Sequence, residues 1–468
     1  MVFERFEDKG LSHYSYAVGC PGSGELAIVD PRRDIDVYLD YAHQQGMRIT
    51  HVLETHIHAD FASGAHELAE RCGATLAISA YDKGEIFEAS FPHQELQDQD
   101  SLTLGGVRIQ ALHTPGHTPE HLSFLVYDLS RKADLPMLML SGDFLFVGSL
   151  GRPDLLGEEA KRGLASQLYD SVQRLADLPD SLEVHPAHGA GSMCGAGMSG
   201  RPMTTLGYER LANPYLDPSL DRSAFVAKIL GSVPPFPAYY RRMKRVNSEG
   251  APSLGGLPGA AVLSVADLRA LIDQGGVVVD LRDQLAFGAG HIPGSYGIGA
   301  GEKVSTWASW VLPYDRPIAL VAADGSDISE AVRALVRVGL DDVRGSLDGG
   351  LAAWSEAGLP LGHIPQLTPL ELSERLHQEP GSIHVLDVRE DSEWDLGRVP
   401  DAAHIIAGHL QDRLEQVPNG GRPVALICNS GYRSTVAASV LERAGRKDVL
   451  NVTGGMLAWE QAGLPVVR

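Results

Sequence analysis

The chain has 468 residues, 44% hydrophobic and 21% charged, an ordinary globular composition on a length that calls for two to four domains. Its formal net charge of −21 argues against a nucleic-acid partner or an anionic membrane surface, both of which select basic patches. The four cysteines (Cys20, Cys72, Cys194, Cys428) are far apart and form no CxxC pair, which fits a reduced, cytoplasmic chain better than a disulfide scaffold.

The N-terminus, MVFERFEDKG, is charged and has no apolar leader segment, and no apolar run reaches the roughly 20 residues of a membrane helix. Over the first 230 or so residues, short strands (GELAIVDP, RITHVLETH, GVRIQALHT, HLSFLVYD, PMLMLSGD, SLEVHPAHG) repeatedly end on His or Asp. Helical stretches such as ASGAHELAERCG lie between them. From Pro234 the chain reads PPFPAYYRRMKRVNSEGAPSLGGLPGA, rich in Pro and Gly, and is expected to be a connector whose RRMK charges face solvent or another domain.

The C-terminal half repeats itself. VVVDLRDQLAFGAGHIPGS is echoed by HVLDVREDSEWDLGRVPDA, RPIALVAADGSDIS from Arg316 by RPVALICNSGYRST from Arg422, and LDGGLAAWSEAGLPL from Leu347 by NVTGGMLAWEQAGLPV from Asn451. Each copy alternates β-branched runs with helical stretches, which predicts βα units on a parallel sheet. The expected domains are therefore 1–245, 246–362 and 363–468.

Four strand ends of the N-terminal domain offer metal ligands: His56 and His58 in THIHAD, His117 in HTPGHTPEH, Asp143 in SGDF and His188 in HPAHG. Imidazole and carboxylate suit Fe, Zn and Mn alike. His51, His66, His113 and His121 read as structural or supporting groups. In the second repeat, Cys428-Asn429-Ser430-Gly431-Tyr432-Arg433 lies between a strand end and a helix start, where backbone N–H groups favour an anion. Those groups and Arg433 would stabilise a Cys428 thiolate and its persulfide. The first repeat has Ala322 and Asp327 in place of Cys428 and Arg433, so it has no nucleophile and would repel an anion.

THIHAD, HTPGH, SGD and the late PAHG, in this order, resemble the metallo-β-lactamase fold. The C-terminal copies resemble rhodanese domains through the D-x-R strand end, the GHIPG-like turn, the Cys-to-Arg loop and the late GG-x-x-x-W. The implied architecture is an α/β multidomain chain: a metallo-β-lactamase αββα sandwich followed by two rhodanese-like α/β domains with parallel sheets. In dinuclear hydrolases of the first fold, such as glyoxalase II, an HxHxDH motif serves both metals. Phe61 stands here where its last histidine would be, which disfavours a fully occupied dinuclear zinc centre. The persulfide dioxygenases of this fold hold one Fe(II) by two His and one Asp, matching His56, His117 and Asp143. His58, Asp60 and His188 would then support those ligands, with Cys194 close by. FVGSLGRPDL also resembles the dioxygenase pattern and offers Arg152 and Asp154 as either a structural ion pair or a substrate-side pair.

The order of domains resembles persulfide dioxygenase–rhodanese fusions. It implies one Fe(II) per chain (with zinc possible on purification) and oxidation by O2 of a low-molecular-weight thiol persulfide of the glutathione or coenzyme A type. Cys428 would then pass sulfane sulfur to sulfite, giving thiosulfate, with Asn429, Ser430, Gly431, Tyr432 and Arg433 as its cradle. A homo-oligomer is expected from the same resemblance. Two alternatives stay open: a Zn-dependent thioester hydrolase of the glyoxalase II type joined to a sulfurtransferase, and a persulfide carrier or sensor.

Overall fold

The structure is a computed structural model that describes all residues from 1 to 468 except Pro235, Ala260, Asp324 and Gly420. The chain divides into two compact units, residues 1–256 with 336–339, and the remainder from 257 to 468.

The first unit is built on two six-stranded sheets. One runs, in spatial order, Val2–Asp8, His13–Cys20, Glu25–Val29, Arg48–Leu53, Thr75–Ser79 and Gln94–Leu96. The other runs Thr204–Thr205, Glu183–Pro186, Leu138–Gly142, Leu122–Asp128, Val107–His113 and Ser101–Leu104. Strand periodicity assigns the layers. Tyr14, Tyr16 and Val18 of one strand meet Ile109, Phe124 and Leu140 in the core between the sheets. Ala17 of that strand faces the outer layer, with Tyr38 and Leu68 from the helices Asp36–Gln45 and Ala65–Cys72. Met139 and Val184 of the second sheet face the helices Lys161–Gln173 and Arg222–Leu230 through Leu168 and Phe225. The result is an αββα sandwich. The expected strands are all present, and an antiparallel N-terminal hairpin of Val2–Asp8 with His13–Cys20 adds to them.

The second unit contains two parallel sheets of five strands with the same order. The first is Val262–Leu263, Val343–Leu347, Ile318–Val321, Val277–Asp280, Tyr296–Gly297; the second is Gln366–Leu367, Val449–Val452, Val424–Ile427, His384–Asp387, Ala403–His404. The buried runs VVVD, IALV, HVLD and VALI form the central strands, as both-face burial of parallel sheets requires. Among the described residues, no helix is long and apolar enough to cross a membrane.

A candidate metal centre and a cysteine loop

The strand Arg48–Leu53 delivers the THIHADF segment to the end of the sandwich. Asp30, at the end of the neighbouring strand with φ 51°, accepts hydrogen bonds from the Thr55 amide at 2.7 Å and the Thr55 hydroxyl at 2.9 Å. With its proton given to Asp30, Thr55 Oγ1 accepts from His56 Nδ1 at 2.9 Å. On His117, Nδ1 donates to the Arg152 carbonyl at 2.9 Å. Both rings are thus fixed with the proton on Nδ1 and a lone pair on Nε2. Burial, reinforced by neighbouring imidazoles, pushes both pKa values well below the usual value and keeps the rings neutral.

Asp143 completes the set. Its Oδ1 accepts from His188 Nδ1 at 2.6 Å, and its Oδ2 lies 3.4 Å from His117 Nε2 and 3.9 Å from His56 Nε2. These three atoms are fully buried and, among the described residues, have no hydrogen-bond partner. Three convergent lone-pair donors, with no proton among them to share, fit a cation. His121, read from sequence as a supporting group, accepts the Asp143 amide on Nε2 at 3.0 Å and so fixes the backbone of that ligand.

The remaining motif residues divide between two buried clusters. His58 turns to Glu54 (2.9 Å) and Asp30 (3.2 Å). Burial opposes its charge, but the two carboxylates outweigh that and raise its pKa to about 10. Asp60, His188 and Cys194 form the other cluster, with His188 Nε2 2.7 Å from Asp60 Oδ2. The donor set is therefore compatible with the two-metal site of this fold, which the loss of a histidine at Phe61 had disfavoured. Against the effect of burial, Asp143 and Asp60 on either side of His188 hold its pKa well above the usual value. Burial and the same carboxylates push the Cys194 thiol up to about 12. Phe61 is fully buried, its ring 4.1 Å from that of His13 and 4.4 Å from that of His58.

The GRPD segment closes the site. A Cβ on Gly151 would lie 1.9 Å from the Asp143 carbonyl and 3.0 Å from His117 Nδ1, so only glycine fits. The buried Arg152 guanidinium is held by Asp154 at 2.7 and 2.8 Å and by the carbonyls of Met193 and Pro234.

In the stretch expected to be a connector, Tyr240–Glu249 is a helix: Arg241 and Arg242 are exposed, as expected of the RRMK charges, but Lys244 is not, and it is buried with Tyr240, Met243, Asn247 and Ser248. Lys244 Nζ donates to the Ile57 carbonyl at 2.9 Å, and burial lowers its pKa. Asn247 Nδ2 donates to the carbonyls of His58 (2.9 Å) and Phe61 (2.7 Å), while its Oδ1 accepts the Ser63 amide at 2.8 Å. Tyr240 Oη lies 3.7 Å from Cys194 Sγ. The spacing 240, 243, 244, 247 is one face of a helix, a signal that the basic composition concealed.

In the second unit, Cys428 follows the strand Val424–Ile427 and precedes the helix Tyr432–Arg443. Cys428 Sγ is buried and accepts from the Gly431 amide at 3.1 Å and from the Ser434 hydroxyl at 3.5 Å. Gly431, at φ 102°, makes the turn that aims its N–H at the sulfur. Asn429 and Ser430 are exposed on the rim. The other two members of the expected cradle are engaged elsewhere: Tyr432 Oη donates to the Gly299 carbonyl of the first repeat at 2.9 Å, and Arg433 forms a bidentate pair with Glu393 at 2.5 and 2.6 Å.

Comparison with known proteins agrees with this geometry. Residues 8–188 match the metallo-beta-lactamase superfamily, and residues 264–357 and 368–462 match the rhodanese-like domain. A hydroxyacylglutathione hydrolase of Maricaulis maris is 30% identical over 44% of this chain and 83% of its own length. A probable metallo-hydrolase of Burkholderia pseudomallei is 31% identical over 40% of this chain and 72% of its own. The crystal structure of a metallo-beta-lactamase from Staphylococcus aureus aligns with TM-score 0.67 and 35% identity over 74% of this chain and 99% of that one.

Proposed function

Because the chain belongs to the metallo-β-lactamase superfamily and carries two rhodanese-like domains, we propose that it oxidises a low-molecular-weight thiol persulfide and transfers sulfane sulfur through Cys428. The observation that carries the reading is the triad of unpartnered His56 Nε2, His117 Nε2 and Asp143 Oδ2, with His58 withdrawn into an ion network and Phe61 in place of a further donor. Iron(II) held by that triad would supply O2 activation and a position for the substrate sulfur, the chemistry two imidazoles and one carboxylate support.

The chain's own groups prepare the site. Thr55 and the Arg152 carbonyl hold the two ligand rings in their Nδ1–H tautomer. His188 N–H holds one oxygen of Asp143 and leaves the other free. Burial and the Asp60 and Asp143 carboxylates push the Cys194 thiol up to about 12, which favours its neutral form. The net change is persulfide, O2 and water giving thiol, sulfite and two protons. In the second unit, the Cys428 thiolate attacks the terminal sulfur of a second persulfide, and the thiol leaves with the electron pair of the broken S–S bond. Sulfite then takes that sulfur, forming thiosulfate and regenerating the thiolate.

The test is product analysis with glutathione persulfide and then coenzyme A persulfide, in wild type and Cys428→Ser. Sulfite from the variant and thiosulfate from the wild type are expected; neither product from either substrate would end the reading. A hydrolase reading is favoured by the similarity to hydroxyacylglutathione hydrolase and by the Asp60–His188–Cys194 cluster. It requires cleavage of an acyl-glutathione thioester under strict anaerobiosis.

A further inference from the structure

The charge around Cys428 differs from what a Cys-to-Arg loop suggests. Arg433 is the loop's cation, yet both of its terminal nitrogens are bonded to Glu393, N to O at 2.5 and 2.6 Å. The pair is half-buried, and each partner reinforces the other. Burial opposes both charges, but Arg433 holds the Glu393 carboxyl below its usual range and Glu393 raises Arg433 further. Glu393 is not a mobile surface group. It is the N3 residue of the helix Asp391–Leu396, where its Oε2 also accepts the Glu390 amide at 3.2 Å in a capping box. A second carboxylate, Glu390, stands half-buried beside it. The internal repeat supplies an independent observation. Glu393 lies six residues after Asp387, and the matching residue after Asp280 is Ala286. The first repeat, with Asp327 in place of Arg433, thus lacks both members of the pair. The carboxylate accompanies the live loop.

We propose that Glu393 is the specificity-determining residue of the sulfur site. By pairing Arg433 it leaves the mouth of the Cys428 loop with no free cation from the loop, so a persulfide, whose reacting S–S group carries at most one negative charge, is accepted while thiosulfate, whose two charges sit on the reacting group itself, is bound weakly and released. Glu393 acts through Arg433 and is a positioning residue. The inference rests on Cys428 being the sulfur-transfer nucleophile.

The experiment compares thiosulfate and glutathione persulfide as sulfur donors to cyanide in the full chain. With thiosulfate, the Cys428 thiolate attacks the outer sulfur, sulfite leaves with the electron pair, and cyanide removes the sulfane sulfur as thiocyanate. Glu393→Gln keeps the capping hydrogen bond and frees Arg433. The thiosulfate KM should fall roughly tenfold, the scale of one charge facing a dianion near a protein surface. The persulfide KM should change less than about threefold, and Glu393→Asp should restore the wild-type ratio. Unchanged or raised thiosulfate KM in Glu393→Gln would overturn the proposal. The wild type gives a check that needs no variant: its thiosulfate KM should not rise between about 20 and 200 mM salt. A severalfold rise would mean a free cation and would also overturn it. Cys428→Ser separates the two levels. If it still transfers sulfur from either donor, the nucleophile assignment fails. If transfer is lost while Glu393→Gln leaves the donor ratio unchanged, only the role of Glu393 fails.

Discussion

Asn247→Ala should loosen the metal-ligand segment from a helix far away in sequence. The side chain is 7% exposed and makes three hydrogen bonds, to the carbonyls of His58 and Phe61 and from the Ser63 amide. Removing the carboxamide strands two carbonyls and one N–H in a buried segment. Each unsatisfied group costs about 1–3 kcal/mol, less where water can enter the space vacated, so roughly 3–5 kcal/mol in total is expected. Global unfolding of a chain with two units is not a two-state process, so the better assay is local. In hydrogen–deuterium exchange, amides of residues 55–63 should exchange at least about 100-fold faster than in wild type. Peptides from 369–468 should be unchanged. Protection of residues 55–63 within about threefold of wild type would refute the bracing role, since it would put the loss below 1 kcal/mol.

Three further outcomes follow from the geometry. Phe61→His adds a donor next to Asp60 in the chain and against the His13 and His58 rings, and metal analysis after reconstitution should rise from about one toward two ions per chain; an unchanged ratio would show that Phe61 does not decide nuclearity. Tyr432→Phe removes the bond to the Gly299 carbonyl and should speed amide exchange in peptides around residues 296–300 and 429–436 by roughly fivefold, the equivalent of about 1 kcal/mol, with Cys428-dependent transfer within about twofold. A collapse of transfer would return Tyr432 to the substrate. The third concerns pH. Since Arg433 holds the Glu393 carboxyl below its ordinary value of 4.5, the stability it adds is fully present above that value and is lost as pH falls through the lower, folded one. The stability difference between wild type and Glu393→Gln should therefore shrink below about pH 4.5 and stay constant from pH 6 to 8.

The architecture was largely legible because its signals are local. The repeated β-branched runs, the His- and Asp-terminated strands and the Cys-to-Arg loop each state their role within a few residues. The convergence of His56, His117 and Asp143 was readable from resemblance together with strand-end positions. What escaped sequence reasoning depends on contacts between distant segments. The bracing by Lys244 and Asn247 joins positions more than 180 residues apart, under a composition that resembled a linker. The Glu393–Arg433 pair joins the first turns of two helices of one repeat and reverses the electrostatic meaning of an arginine that looked like an anion anchor. The turning of His58 toward Glu54 and Asp30 depends on two carboxylates that no metal-binding motif includes.

The central claim is that His56, His117 and Asp143 hold a redox-active metal that oxidises persulfide sulfur. The measurement that tests it most directly is O2 consumption by the full chain given glutathione persulfide or coenzyme A persulfide, with protein loaded anaerobically with Fe(II), with Zn(II), or carrying His117→Ala. The account predicts rapid uptake with one persulfide in the Fe(II) protein alone, at one O2 per sulfite formed. No uptake with either persulfide, or equal uptake with Zn(II), would contradict it.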